Sequence, residues 1–198
     1  MRKFAFLFAM ILGVIMVTGC PKPEPEPEIG VAIDKIVAAT ADLYAAWDED
    51  RTIPATVTVN GVELQVANYV YLGASALVSI SKGDKTDIVP KDVRAASNPD
   101  RDSYDKDEIA VTNGPKDGKG VNEDIVTIAA NLVKVADEKG QLPNQTIVYR
   151  GSEPLAFSTN RAIVTIARTL TEYSKTGQLP SKVSTEYLSG GLTLKALS

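Results

Sequence analysis

Three stretches of the chain place apolar residues at helical spacing and end in the same kind of turn. Residues 36–54 read IVAATADLYAAWDEDRTIP, residues 125–143 read IVTIAANLVKVADEKGQLP, and residues 163–180 read IVTIARTLTEYSKTGQLP. A fainter copy, YLGASALVSISKGDKTDIVP, covers residues 71–90. In the first, Ile33, Ile36, Val37, Thr40, Leu43, Tyr44 and Trp47 form one mainly apolar stripe, as an amphipathic helix requires. Ile125, Ile128, Ala129, Leu132, Val133 and Ala136 do the same in its partner. Gly140 and Gly177 stand where a helix needs a left-handed residue just past its end, and Pro143 and Pro180 prevent the helix from continuing.

The long copies are in register. Ile36 to Ile125 is 125 − 36 = 89 positions, and Pro54 to Pro143 is 143 − 54 = 89. Each proline is followed by an extended segment, a glycine turn and a second extended segment. The first reads Thr56-Val57-Thr58-Val59-Asn60-Gly61-Val62-Glu63-Leu64, with alternation at Val57, Val59, Val62 and Leu64 that suggests one buried face. Asn-Gly between such runs is a strong hairpin signal, because a type I′ turn needs positive φ at both central residues. The pattern therefore predicts an α+β, mainly helical fold: two duplicated helix–β-hairpin–helix units, at residues 31–96 and 121–190, with a tail at 191–198. A lone hairpin is marginal in water. Either the units pack together or the helices of each close over its own hairpin.

The N-terminus changes the picture from fold to location. Met1-Arg2-Lys3, an apolar run from Phe4 to Val17 and Thr18-Gly19 make a secretory signal over residues 1–19. The apolar run falls short of the roughly 20 residues of a membrane span. Val17-Thr18-Gly19-Cys20 resembles the lipobox of prokaryotic lipoproteins, which implies cleavage before Cys20 and acylation of its thiol. Cys20 is the only cysteine, so it has no internal disulfide partner. Residues 20–30 carry alternating Pro and Glu, a semi-rigid extended tether. The expectation is an extracytoplasmic, membrane-anchored lipoprotein of the cell envelope.

Charge and composition then remove function classes. Without Arg2 and Lys3 the chain has 21 − 2 = 19 basic against 25 acidic residues, a net of −6. That argues against nucleic acid and against anionic lipid as electrostatic partners. There is no histidine, which excludes Ser-His and Cys-His nucleophilic machinery and, with a single cysteine, zinc sites built from His or Cys. No glycine-rich phosphate loop is present, and no cofactor is implied. The reading is non-catalytic.

The helix with its G-x-L-P stop, the short hairpin with a glycine, and the aromatic-aliphatic run Ala67-Asn68-Tyr69-Val70-Tyr71-Leu72 resemble the pseudomurein-binding repeat of methanogen envelope proteins. The best matches are Gly140-Gln141-Leu142-Pro143 and Thr56-Val57-Thr58-Val59-Asn60-Gly61. The resemblance covers both units and implies a module that holds a surface protein on its wall polymer. The first unit departs with Arg51-Thr52-Ile53-Pro54, which lacks the glycine, and the second with Phe157-Ser158-Thr159-Asn160 at the helix start. The partner expected is a pseudomurein- or peptidoglycan-like glycan; an envelope protein is the alternative.

Candidate ligand contacts are aromatics and their polar neighbours. Tyr149 and Arg150 flank the second turn and are the pair most expected at the surface; Arg150 could hold a carboxylate of a wall peptide or uronate. Tyr69 and Tyr71 cannot both face inward from a one-sided helix, so one is expected to be available. Trp47 lies on the apolar stripe, where core packing competes with stacking on a ligand. Residues 97–122, rich in Asp, Asn, Gly and Pro, read as a solvated linker. Asp100, Asp102, Asp105 and Asp107 within it are weak calcium candidates, but the spacing does not fit an EF-hand loop.

Overall fold

A computed structural model of the protein describes residues 29–111 and 121–185. The signal segment, Cys20, most of the tether, the glycine-rich part of the linker and the tail lie outside the described residues. Helix α1 (Ile33–Asp50) leads into a hairpin of β1 (Thr56–Val59) and β2 (Val62–Gln65), then α2 (Val66–Ser81). A long connection carries β3 (Glu108–Ala110) and β4 (Val121–Asn122). The second unit repeats the plan with α3 (Ile125–Lys139), β5 (Gln145–Arg150), β6 (Glu153–Ser158) and α4 (Thr159–Thr176), and β7 (Lys182–Ser184) follows. The fold is α+β and mainly helical, as the pattern predicts.

The two units share one core. α1 packs on α4 and α2 on α3, each pair antiparallel. Ile36, Leu43, Leu72, Leu77, Ile128, Leu132, Ile166 and Leu170, from all four helices, lie in a single buried cluster. Each helix alone has an apolar stripe to cover, and only the partner unit supplies enough surface to cover it. The chain runs up α1, down α2, up α3 and down α4, so both hairpins sit at the same end.

The duplication is visible atom by atom. The N–H of Arg51 bonds Trp47 O at 2.7 Å, and 89 positions on the N–H of Gly140 bonds Ala136 O at 2.8 Å. Both residues are left-handed, Arg51 at φ 54° and Gly140 at φ 60°. The first unit thus makes the same helix stop without the glycine, with the Arg51 guanidinium 4.5 Å over the Trp47 ring. After each turn the first N–H of the next helix returns to the residue after the proline: Val66 N to Ala55 O at 2.9 Å, Thr159 N to Asn144 O at 3.2 Å. Asn60 (φ 50°) and Gly61 (φ 80°) form the expected type I′ turn.

Between the hairpins the register shifts. Val59 pairs with Val62, and Val148 pairs with Leu155. The first members are 148 − 59 = 89 apart and the second 155 − 62 = 93 apart. Four residues, Tyr149, Arg150, Glu153 and Pro154, therefore extend the second hairpin by two per strand, with Gly151-Ser152 as its turn.

The connection is not a solvated linker where it is described. Val93 N donates to Asn68 Oδ1 at 2.9 Å, and Arg94 bridges to Gln141. Ser103 N donates to Ala156 O at 2.8 Å, which covers the free edge of β6. Tyr104 is 1 % exposed and meets Phe157 edge-on at 4.9 Å between centroids. β3 then pairs antiparallel with β7. The apolar side chains of Tyr104 and Ile109 draw this polar segment onto the second unit.

Candidate functional site

The outward face of a hairpin is read from its register, since residues directly opposite each other share a face. In the first hairpin Val57 with Leu64 and Val59 with Val62 share the face toward the helices, Val62 at the turn being 59 % exposed; the outward pairs are Thr56 with Gln65 and Thr58 with Glu63. In the second, the inward pairs are Thr146 with Phe157, Val148 with Leu155, and Arg150 with Glu153. The outward pairs are Gln145 with Ser158, Ile147 with Ala156, and Tyr149 with Pro154. Ile147 and Tyr149 are 37 % and 40 % exposed, and Pro154 is exposed beside them. The molecule thus turns an aromatic ring, a proline ring and a branched aliphatic chain outward on one strip.

Arg150 belongs to the opposite face and is not open to a ligand. Its Nη2 bonds Asp105 Oδ1 at 2.8 Å and Glu123 Oε1 at 3.0 Å, and Nε adds a bond to the same Glu123 oxygen at 3.3 Å. Lys106 reaches Glu123 at 2.8 Å from the other side. Partial burial raises the Glu123 pKa, but the bonds from Arg150, Lys106 and Tyr104 outweigh it and hold the carboxyl below its ordinary value. The Asp105 carboxyl is lowered by its bond from Arg150. These charge-assisted bonds tie the extension to the connection.

Other expected contacts are also placed elsewhere. Tyr69 is 3 % exposed and its hydroxyl pairs with Thr40 inside the core; burial raises its pKa well above the usual phenol range. Tyr71 is 7 % exposed, with its hydroxyl donating to Asp137 at 3.0 Å. Neither is available, because α2 is buried on almost every side between the other helices. Its run from Val66 to Ser81 has no charged residue, the composition of a helix buried all round. Trp47 is fully buried, and its indole N–H finds no acceptor among the described residues.

Asp100, Asp102 and Asp105 each hold a separate structural bond. Asp100 accepts from Asn160 Nδ2 at 2.6 Å, and Asp102 accepts from Arg161 Nη1 at 3.1 Å and Ser158 Oγ at 3.3 Å. Asp105 is taken by Arg150. Among the described residues no three such side chains are grouped to hold a metal ion. Arg161 is 3 % exposed and also donates to Tyr104 O, so it latches the connection to the start of α4. Reasoning from the sequence missed this latch. Its one signal is a basic residue at the third position of α4, directly before the mostly apolar run Ala162-Ile163-Val164-Thr165-Ile166-Ala167.

Of the proposed contacts, then, Tyr149 alone is at the surface and directed outward, and the geometry adds Ile147 and Pro154 to it. No family model matches the chain and no curated protein matches it, so what the strip does is read from its own geometry.

Proposed function

We propose that this chain is a lipid-anchored, extracytoplasmic, non-catalytic protein that binds a cell-wall or envelope polymer through the outward strip of its second hairpin. The observation that carries the reading is the pairing of Tyr149 with Pro154 beside Ile147, where the first hairpin has Thr and Glu. An exposed aromatic ring with flat apolar neighbours suits the apolar face of a sugar ring, and its hydroxyl keeps a polar handle. Cys20, in its lipobox-like context, supplies the anchor, and the Pro/Glu tether gives the strip reach from the membrane. The ligand class is a pseudomurein- or peptidoglycan-like glycan. The absence of histidine from the sequence supports the non-catalytic reading.

Co-sedimentation with isolated cell wall tests the binding. Retention that soluble wall glycan competes away, and that Tyr149→Ala abolishes, is the expected result. Undiminished retention of Tyr149→Ala would remove the strip from the reading. Mass spectrometry of the native protein tests the anchor separately: an unacylated Cys20 would remove it.

A further inference from the structure

The turn between α3 and β5 leads into a tripeptide that the wall-binding reading does not use. Asn144-Gln145-Thr146 has the form Asn-x-Ser/Thr with no proline in the middle, the acceptor pattern for N-linked sugar. The sequence has eight asparagines, and Asn144 alone stands in that pattern. Neither residue of the pattern belongs to the duplicated plan. In the first unit Ala55 stands at the position of Asn144 (144 − 55 = 89) and Val57 at that of Thr146 (146 − 57 = 89).

The fold presents the acceptor atom. Asn144 is exposed, directly before the first residue of β5. Asn98 N donates to its Oδ1 at 2.8 Å, and Ser97 Oγ donates to the same oxygen at 3.2 Å. A backbone N–H requires an acceptor, so these bonds fix which side of the amide is oxygen and leave Nδ2 on the other. Among the described residues nothing bonds Nδ2. Holding the connection uses the oxygen only, and an aspartate would accept the same two bonds. Thr146 is different: it is 2 % exposed, and its hydroxyl accepts from Asn131 Nδ2 at 3.0 Å.

We propose that Asn144 is an N-glycosylation site. The donor is a sugar linked through C1 to a lipid phosphate, and the catalyst is an envelope oligosaccharyltransferase. Nδ2 attacks C1; the N–C1 bond forms, the C1–O bond breaks, the lipid phosphate leaves, and one Nδ2 proton passes to a base of the transferase. The inference rests on the extracytoplasmic part of the reading above, since the exported chain is what meets such a donor. The Thr146 hydroxyl belongs to the pattern the transferase reads and is buried in the fold, so transfer precedes closure of the second hairpin. Asn144 stays exposed afterwards, and the linked sugar stands at the base of the hairpin. Tyr149 lies five residues along the strand, about 17 Å away, so the linkage does not occupy the outward strip.

The test is mass spectrometry of the full-length protein purified from its native cells. Cleavage after Lys139 and Arg150 isolates residues 140–150, which contain the whole pattern. This peptide is expected to carry the added mass of one or more sugar residues on Asn144. Asn144→Asp, which keeps the acceptor for Asn98 and Ser97, is expected to lose the added mass entirely, and so is Thr146→Val, which restores the first unit's residue. Thr146→Ser keeps the hydroxyl and is expected to keep the sugar. An unmodified Asn144 in molecules whose Cys20 is acylated would overturn the site and leave the location standing. Molecules that retain Met1 and a free thiol would overturn both. Added mass that persists in Asn144→Asp would place the sugar elsewhere and overturn the site as well.

Discussion

The two hairpins share a backbone plan and part company in length and in what they turn outward. The first is four residues a strand, with Thr58 and Glu63 facing solvent, Val57 and Val59 buried, and Val62 exposed beside the turn. The second is six residues a strand, with Ile147, Tyr149 and Pro154 facing solvent and Arg150 tied inward to Asp105 and Glu123. The first unit joins its own helices, α1 and α2, with the shorter form. The extension covers no additional core; it projects an apolar strip and braces it with charge. In a duplicated fold, the copy that departs from the apolar-in, polar-out rule is where a role other than folding is to be sought.

The same comparison runs through the core. Trp47 in the first unit corresponds to Ala136 in the second (136 − 47 = 89), and the Thr40–Tyr69 pair corresponds to Ala129 and Ala162 (129 − 40 = 89; 162 − 69 = 93). At these positions the large side chains belong to the first unit and alanines to the second. Trp47→Ala, which gives the first unit the second unit's residue, is expected to cost about 3–5 kcal/mol in equilibrium denaturation, because the volume cannot be refilled. Ala136→Trp should be no compensation, since its site is already closed. A cost below about 1 kcal/mol for Trp47→Ala would mean that the two cores are interchangeable.

The connection is latched at matching positions by different chemistry. Asn68 accepts one backbone N–H from Val93, whereas Arg161, 161 − 68 = 93 positions on, is an almost fully buried guanidinium bound to Asp102 and Tyr104 O. Arg161→Ala is expected to cost about 3 kcal/mol or more, much of it from stranding Asp102, and Asn68→Ala about 1 kcal/mol. Hydrogen exchange provides the sharper readout. Arg161→Ala should release the β3–β7 pairing, and Asn68→Ala should leave it protected.

How far these differences could be read in advance depends on the range of the interaction. Asn60-Gly61, Gly140, Gly177 and the 89-residue register are local or periodic signals, and they place the helices, the hairpins and the duplication correctly. The left-handed Arg51 was also within reach, because 51 + 89 = 140. The expectation for Tyr69 fails for a tertiary reason: α2 is enclosed by the other three helices, so a one-sided stripe is the wrong template for it. The roles of Arg150 and Arg161 depend on Asp102, Asp105 and Glu123, tens of residues away and paired only once the connection folds back. A charged run resembles a solvated linker until its partners are known. The exposure of Tyr149 follows from its place beside a turn, but its neighbours Ile147 and Pro154 required the strand register.

The helix stops are the next point of comparison. Gly140→Arg gives the second unit the first unit's residue at φ 60°, with open space around the new side chain. The expected cost is about 1 kcal/mol, from the left-handed backbone and not from a clash. Arg51→Gly should change stability by less, because relief of the backbone is offset by the lost contact with the Trp47 ring. Thermal melts of the pair decide it: equal and opposite shifts would mean that the ring contact contributes nothing.

A smaller effect separates the two turns by pH. Glu123 and Asp105, with carboxyls held below their ordinary values, brace only the second hairpin. A depressed pKa contributes stability that is present above the unfolded value, roughly 4, and is lost as pH falls through the folded one. Asp105 is exposed and Glu123 only partly shielded, so the loss is small beside that of the substitutions above. Acidification below about pH 4 should increase amide exchange at Tyr149 and Arg150 more than at Asn60 and Gly61. Glu123→Gln should remove most of that difference.

The smallest effect on stability is expected to be the largest on binding. Tyr149→Thr gives the extended hairpin an outward residue of the first hairpin's kind, and the position is exposed, so the melting temperature should move by no more than about 0.5 kcal/mol allows. Threonine suits a strand, and the inward bonds of Arg150 do not depend on the ring. If the strip is what holds the wall polymer, retention on isolated wall is lost while the fold is untouched. Thr58→Tyr, which puts an outward tyrosine on the shorter hairpin at the position matching Ile147, should not create retention, because no proline faces that position and no ion-pair brace ties that hairpin to the connection. Wall binding by Thr58→Tyr equal to that of the native chain would show that any exposed tyrosine suffices, and the extension would lose its part in the site.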